Sequence, residues 1–171
     1  MSRGQIIRTL RASSLLAPLT EVELRALANC GRLCEYAPGQ TILGGDRADE
    51  HLFVLRRGRV ALHVIMLPNG GQCEGMTTVE LNSPGEVFGW GAWLRPDGIM
   101  VAAYALEPCS VVRLNLDRLK DAETSWKVSW RMLQKLYGLL QEHGLCPPNV
   151  QALLKLGQVA TLEWAPANGE G

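Results

Sequence analysis

Few side chains in this 171-residue sequence stand at spacings that catalytic or metal chemistry needs. The three histidines, His51, His63 and His143, are isolated. None forms the His-x-His or HExxH spacing that brings two imidazoles to one metal ion. His51 and His63 fall on neighbouring predicted strands, which leaves them either a pair or two separate exposed histidines. The five cysteines, Cys30, Cys34, Cys73, Cys109 and Cys146, contain no CxxC pair. They read as reduced, buried or half-buried thiols, and a reactive thiol among them would depend on exposure and pKa. There is no G-x-S-x-G elbow and no G-x-x-x-x-G-K-S/T phosphate loop, and the acidic residues are scattered without an evident carboxylate pair. The expectation is a non-enzymatic protein with no metal and no cofactor.

Bulk electrostatics point the same way. Seventeen basic and 17 acidic residues cancel to a formal net charge of zero, which gives no general attraction to nucleic acid or an anionic membrane. No apolar run approaches the ~20 residues of a spanning helix. The opening MSRGQIIRTLRASSLL lacks the continuous apolar stretch of a secretory signal. A cytoplasmic protein of one domain plus an extension is expected, with 47% hydrophobic residues to build its core.

The elements that position these residues follow from periodicity. Ile6 to Leu16 reads as a helix, and Pro18-Leu19-Thr20 resets the chain. Thr20 and Glu23 have the capping-box spacing that opens a second helix. Its apolar face is Leu24, Leu27 and Ala28, and it stops near Gly31. The period then changes from 3.6 to 2. Strands are expected at Gln40–Leu43, His51–Leu55, Arg59–Met66, Met76–Leu81, Met100–Leu106 and Ser110–Leu116. Arg57-Gly58 makes a tight turn between them, and Pro68-Asn69-Gly70-Gly71 makes a hairpin tip. Short strands at this spacing predict a closed or sandwiched antiparallel sheet.

From Asp117 the helical period returns. Trp126, Trp130, Leu133, Tyr137 and Leu140 recur at 4-3-4-3 spacing, the seam of a coiled coil. Met132, Leu136 and Leu139 add a second stripe. Such a helix can face both its own β domain and a partner helix, which predicts a homodimer. Gly144 and Pro147-Pro148 end it. A short helix is expected at Val150 to Leu156, and the polar tail from Ala165 to Gly171 is expected to fray.

Two stretches carry a family pattern. Pro38-Gly39-Gln40-Thr41-Ile42-Leu43-Gly44-Gly45-Asp46 followed by Leu52-Phe53-Val54-Leu55-Arg56-Arg57-Gly58-Arg59-Val60 resembles the first half of a cyclic-nucleotide-binding domain. Pro84-Gly85-Glu86-Val87-Phe88-Gly89, a short helix at Ala92-Trp93-Leu94 and Ala105-Leu106-Glu107-Pro108-Cys109 resemble the second half. The likeness runs from about Leu15 to Leu119 and into the long helix. It implies a mainly β fold with flanking helices: an antiparallel β-roll (double-stranded β-helix or jelly-roll) of the catabolite activator type, plus a C-terminal dimer helix. The layout it implies is an N-terminal helical segment at 1–18, the roll at 19–120, a dimerisation helix at 121–144 and a short helix and tail at 145–171.

The resemblance also implies where a ligand would bind, between the strand ending near Val87 and the one beginning near Met100. The candidate pocket residues are Phe88, Gly89, Trp90, Gly91, Ala92, Trp93, Arg95 and Met100. Family members place a Gly-rich turn and a short helix N-terminus against a cyclic phosphate. An Arg neutralises that phosphate, and a Glu accepts from the ribose 2′-hydroxyl. Here Trp90 stands at the Glu position, and Gly98-Ile99-Met100 stands where the Arg would lie. Losing both charge-assisted contacts lowers affinity by roughly 10²- to 10⁴-fold. Trp90 either fills the vacated pocket or offers a stacking face to a different ligand. Arg95 either reaches a phosphate from the loop or is a solvated loop arginine.

Relatives that sense oxygen carry an iron–sulfur cluster on four closely spaced ligands, a set that Cys30, Cys34 and Cys109 do not supply. Only 27 residues follow Gly144, too few for a helix-turn-helix module, so no direct DNA binding is expected. The sequence therefore reads as a regulatory or sensor module in which a small-molecule ligand or a protein partner shifts the dimer helix relative to the roll. The alternative is a ligand-free β-roll scaffold for protein–protein contact or dimerisation.

Overall fold

The computed structural model describes residues 3–44, 51–66, 75–89 and 99–115, together with Arg118 and Trp130. Two helices lead, α1 (Arg3–Ala12) and α2 (Glu21–Asn29). Eight strands follow: β1 (Gly31–Tyr36), β2 (Thr41–Leu43), β3 (His51–Arg57), β4 (Val60–Met66), β5 (Gly75–Leu81), β6 (Val87–Phe88), β7 (Ile99–Ala105) and β8 (Cys109–Asn115).

The first helix ends at Ala12 rather than running to Leu16. The Ser13 hydroxyl just beyond it is buried and makes no hydrogen bond among the described residues. The chain continues in tight turns, with Ser13 N donating to the Leu10 carbonyl at 3.2 Å and Leu16 N to that of Ser13 at 3.2 Å. The second helix starts as its spacing predicts. Glu23 N donates to Thr20 Oγ1 at 3.3 Å, and Thr20 N donates to Glu23 Oε2 at 2.7 Å. That reciprocal box explains how a carboxylate can be buried beside Leu24 and Leu27. Arg11 pairs with Glu21 across the two helices, and Arg25 Nε reaches the same carboxylate at 3.2 Å.

The strands form two four-stranded antiparallel sheets, ordered β1-β8-β3-β6 and β2-β7-β4-β5. The chain passes from one sheet to the other at nearly every connection, which is the winding of a β-roll. Gly58 makes the predicted turn between β3 and β4 at φ +100°. The β4–β5 hairpin closes in register from Val60↔Leu81 to Met66↔Gly75, while its expected tip at Pro68–Gly71 lies outside the described residues. β1 was not expected. Its apolar residues do not alternate, because this edge strand is only half-buried along its length.

Four consecutive β3 residues, Leu52, Phe53, Val54 and Leu55, are fully buried, so the first sheet is covered on both faces. One cover is helical. A side chain at Gly31 would press on Ile6 and Leu114, so the face carrying Gly31, Leu114 and Leu52 lies against α1. In the second sheet, rows such as Leu62↔Val79 and Leu62↔Ala103 are apolar. One continuous cluster of buried side chains joins both sheets and both helices. Trp130 is helical, half-buried and packed against that cluster. The remaining residues of the expected dimer seam, Trp126, Leu133, Tyr137 and Leu140, lie outside the described residues.

Candidate ligand-binding site

Phe88, the last residue of β6, pairs with Phe53 of β3. Their rings stack with centroids 5.2 Å apart and planes 15° from parallel, and both are fully buried. The stack anchors the strand from which the candidate ligand segment departs. Gly89 comes next, at φ +90°. A Cβ there would lie 2.8 Å from the His51 carbonyl oxygen and 2.8 Å from Phe53 Cδ2. Glycine is required on both counts: the backbone lies in a region other residues avoid, and the chain lies flush against β3.

Trp90, Gly91, Ala92, Trp93 and Arg95, and the short helix expected at Ala92–Leu94, lie outside the described residues. The segment re-enters at β7, where Ile99 pairs with Met66, Met100 with Ile65 and Val101 with Val64. It therefore leaves the first sheet and returns on the second. Of the eight expected pocket residues, Phe88 and Gly89 stand at the departure point and Met100 at the return.

The apolar face of the second sheet is built from Val60, Leu62, Val64, Leu81, Val101, Ala103 and Ala105, all at most 4% exposed. No charged side chain stands in those rows. A phosphate laid against them would meet no cation in these rows.

Charge is found instead beside Gly89. Arg113 Nη2 lies 3.1 Å from His51 Nε2. An arginine can only donate there, so a hydrogen bond at this contact uses the imidazole lone pair at Nε2. Across β1 and β8, Arg32 and Arg113 are direct partners. Arg113 is in turn the partner of Phe53, and Phe53 of Phe88. One face of the first sheet thus reads Arg32, Arg113, Phe53, Phe88. Sequence reasoning did not single out Arg113, because its separation of 62 positions from His51 hides their proximity.

The two strand histidines are not a pair. His51 belongs to β3 in the first sheet and His63 to β4 in the second. His63 Nδ1 lies 3.2 Å from Thr78 Oγ1, and its ring meets Tyr104 edge-on at 5.4 Å. The thiols are similarly dispersed among structural contacts. Cys109 Sγ lies 3.0 Å from the carbonyls of both Arg59 and Glu107. Burial pushes the Cys30 thiol up, against the opposing pull of Arg118, which makes it a poor nucleophile. Among the described residues no group of three His, Cys, Asp or Glu side chains could hold a metal ion.

Solved structures share this architecture. The second cyclic-nucleotide-binding domain of a protein kinase A regulatory subunit, bound to Sp-2Cl-cAMPS, is 19% identical over 86% of this chain and 95% of that one, with a TM-score of 0.60. The regulatory subunit of a cAMP-independent protein kinase A from Trypanosoma brucei is 19% identical over 90% of this chain and 50% of that one, TM-score 0.59. Its counterpart from Trypanosoma cruzi, bound to guanosine, is 22% identical over 91% of this chain and 51% of that one, TM-score 0.60. The chain thus spans about half the length of the longer regulatory subunits it matches. No curated protein sequence matches it. The sequence model of the cyclic nucleotide-binding domain matches residues 33–123, just over half the chain, from β1 through β8 and past the candidate segment. With that match laid over the same two-sheet roll, the chain belongs to the cyclic nucleotide-binding domain family.

Proposed function

We propose that this protein is a non-enzymatic regulatory module whose β-roll does not grip a cyclic nucleotide in the family's usual way. Its signal passes through the helix at 121–144, which pairs with a second copy of the chain. The observation that carries this reading is the chemistry available to a ligand at the segment between Phe88 and Met100. Trp90 replaces the carboxylate for the ribose, Gly98-Ile99-Met100 replaces the arginine for the phosphate, and the apolar rows of the second sheet supply no charge in compensation. The similarity to the regulatory subunits of cAMP-independent protein kinase A, one of them bound to guanosine, supports a roll of this family that answers to something other than cyclic AMP.

A second reading is favoured by burial. Leu62, Val64 and Ala103 are essentially inaccessible, as they would be in a roll whose own side chains, Trp90 first among them, occupy the ligand's place. The protein would then be a scaffold for a protein partner. Native mass spectrometry of protein purified from its own host, followed by small-molecule analysis of the denatured sample, separates the two. A dimer carrying a defined extra mass establishes the receptor. A bare dimer establishes the scaffold as the working description, and a bare monomer overturns the signalling route through the helix.

A further inference from the structure

A cleft of about 320 Å³ lies between α1 and the roll, lined by Gln5, Arg8, Thr9, Ala12, Arg56 and Pro84. Its helical wall is a single stripe, because residues 5, 8, 9 and 12 fall on one face of α1. The apolar residues Ile6 and Leu10 of the same helix join the core cluster, leaving this stripe polar or small where it meets the roll. The far end is closed by the turn carrying Gly85. That residue is at φ +91° and sits so close to the Ala12 carbonyl that a Cβ would collide with it. The turn's own acid, Glu86, is already engaged: its Oε2 accepts from Asn82 N at 2.8 Å and Ser83 N at 2.9 Å.

Among the described residues the lining therefore holds two cations and no acid. Arg8 Nε donates to the Gly4 carbonyl at 3.3 Å, and Arg56 Nη1 makes a long 3.4 Å contact with Ser110 Oγ. Neither guanidinium meets a carboxylate among the described residues. Elsewhere on this surface exposed arginines do find acids: Arg59 pairs with Glu80 and Glu107, and Arg11 and Arg25 share Glu21. Two guanidiniums brought to one concave site without a counter-charge repel each other unless an anion joins them. Their planar forks match phosphate and carboxylate oxygens alike, and two of them together balance the double charge of a phosphate monoester. The volume sits at the low end for small-molecule pockets. Among the described residues only Ala12 and Pro84 offer apolar surface, and no aromatic ring lines the cleft.

We propose that this cleft binds a phosphate monoester of about the size of a sugar phosphate, held between Arg8 on α1 and Arg56 on β3. The site is separate from the segment between Phe88 and Met100 and independent of what that segment binds. Because its two cations belong to different elements, an occupant fastens the N-terminal helix to the roll.

The test is a calorimetric titration of the full chain with glucose 6-phosphate, inorganic phosphate and O-phosphoserine, repeated in R8Q, R56Q and the salt-bridged control R59Q. Saturable binding is expected, weakened at least about tenfold by R8Q and by R56Q and unchanged by R59Q. Excess cyclic AMP leaves it unaltered. If glucose 6-phosphate binds best the source is a free metabolite, and if O-phosphoserine binds best it is a phosphorylated side chain. Equal affinity in R8Q, R56Q and the parent would overturn the proposal, as would the absence of saturation with all three probes. Arg8 is exposed and makes only the contact to its own helix, so R8Q remains decisive even if R56Q folds poorly.

Discussion

Gly89 lies so close to Phe53 that the space a methyl group would need is already taken by the aromatic ring and by the carbonyl of His51. The contact fixes the direction in which the chain leaves β6, and with it the start of the segment that spans the two sheets. In Gly89→Ala the backbone must abandon φ +90° or accept strain, and Phe53 must shift against its partner Phe88. A loss of at least about 2 kcal/mol is expected, measured as a lowered urea midpoint with unchanged slope. A substitution tolerated within a few tenths of a kcal/mol would show that the segment is not held by this contact.

The capping box at the start of α2 offers a milder test. Thr20→Ala removes the acceptor for Glu23 N but leaves Thr20's own backbone N–H, so the Glu23 carboxylate keeps its bond. A loss of about 1 kcal/mol is expected, and Thr20→Ser should restore most of it. Equal losses from Ala and Ser would assign the effect to packing of the threonine methyl instead.

Thr20 was readable in the sequence because a capping box is local: four residues carry the whole signal. The β-roll was readable for a related reason, since short apolar runs such as Leu52–Leu55 and Val60–Leu62, and glycine at tight turns, are short-range patterns. β1 escaped notice because an edge strand buries neither face fully, so Leu33, Cys34 and Tyr36 show no period. The extent of α1 was misjudged because its end lies against Gly85, which is far away in the chain. Both arginine sites were invisible for the same physical reason. Arg113 meets His51, and Arg56 meets the α1 stripe, only once the sheet register and the helix docking are fixed.

Glu21 gives a signed pH dependence. Hydrogen bonds first from Arg11 and then from Arg25 hold its carboxyl below the ordinary value of 4.5. A carboxylate depressed in the folded state contributes stability that is fully present above its unfolded pKa. That contribution disappears as pH falls through the lower folded value. The parent should therefore exceed Glu21→Gln in stability at neutral pH, and the gap should close as the pH drops below 4.5. Both groups are exposed, so the gap is small and shrinks in high salt. A gap that survives unchanged at pH 3 would mean the glutamate acts through packing and not through charge.

Cyclic AMP and cyclic GMP should not stabilise the protein. A family-type pocket with a micromolar Kd, given millimolar ligand, would gain about 4 kcal/mol of stability and a Tm rise of many degrees. With Trp90 in place of the carboxylate and no arginine between Gly98 and Met100, the expected shift in a thermal melt is nil for both nucleotides. A clear rise with either one would mean that another cation meets the phosphate. Arg113→Gln would be the next variant to melt, because Arg113 bonds to His51 beside Gly89.

The proposed helix at 121–144 is asked to do two things, and single substitutions can separate them. Trp130 packs against the roll's core cluster, so Trp130→Ala should cost about 3 kcal/mol of roll stability, as for other large-to-small core changes. Leu133 and Tyr137 continue the 4-3-4-3 seam on the proposed partner-facing side. A charge at either, as in Leu133→Glu, should convert a dimer to a monomer in sedimentation at tens of micromolar, with little change in the monomer's own unfolding midpoint. If the parent chain already sediments as a monomer at that concentration, the proposed dimer helix is wrong. If Leu133→Glu leaves the dimer intact, the contact between copies lies elsewhere on the molecule.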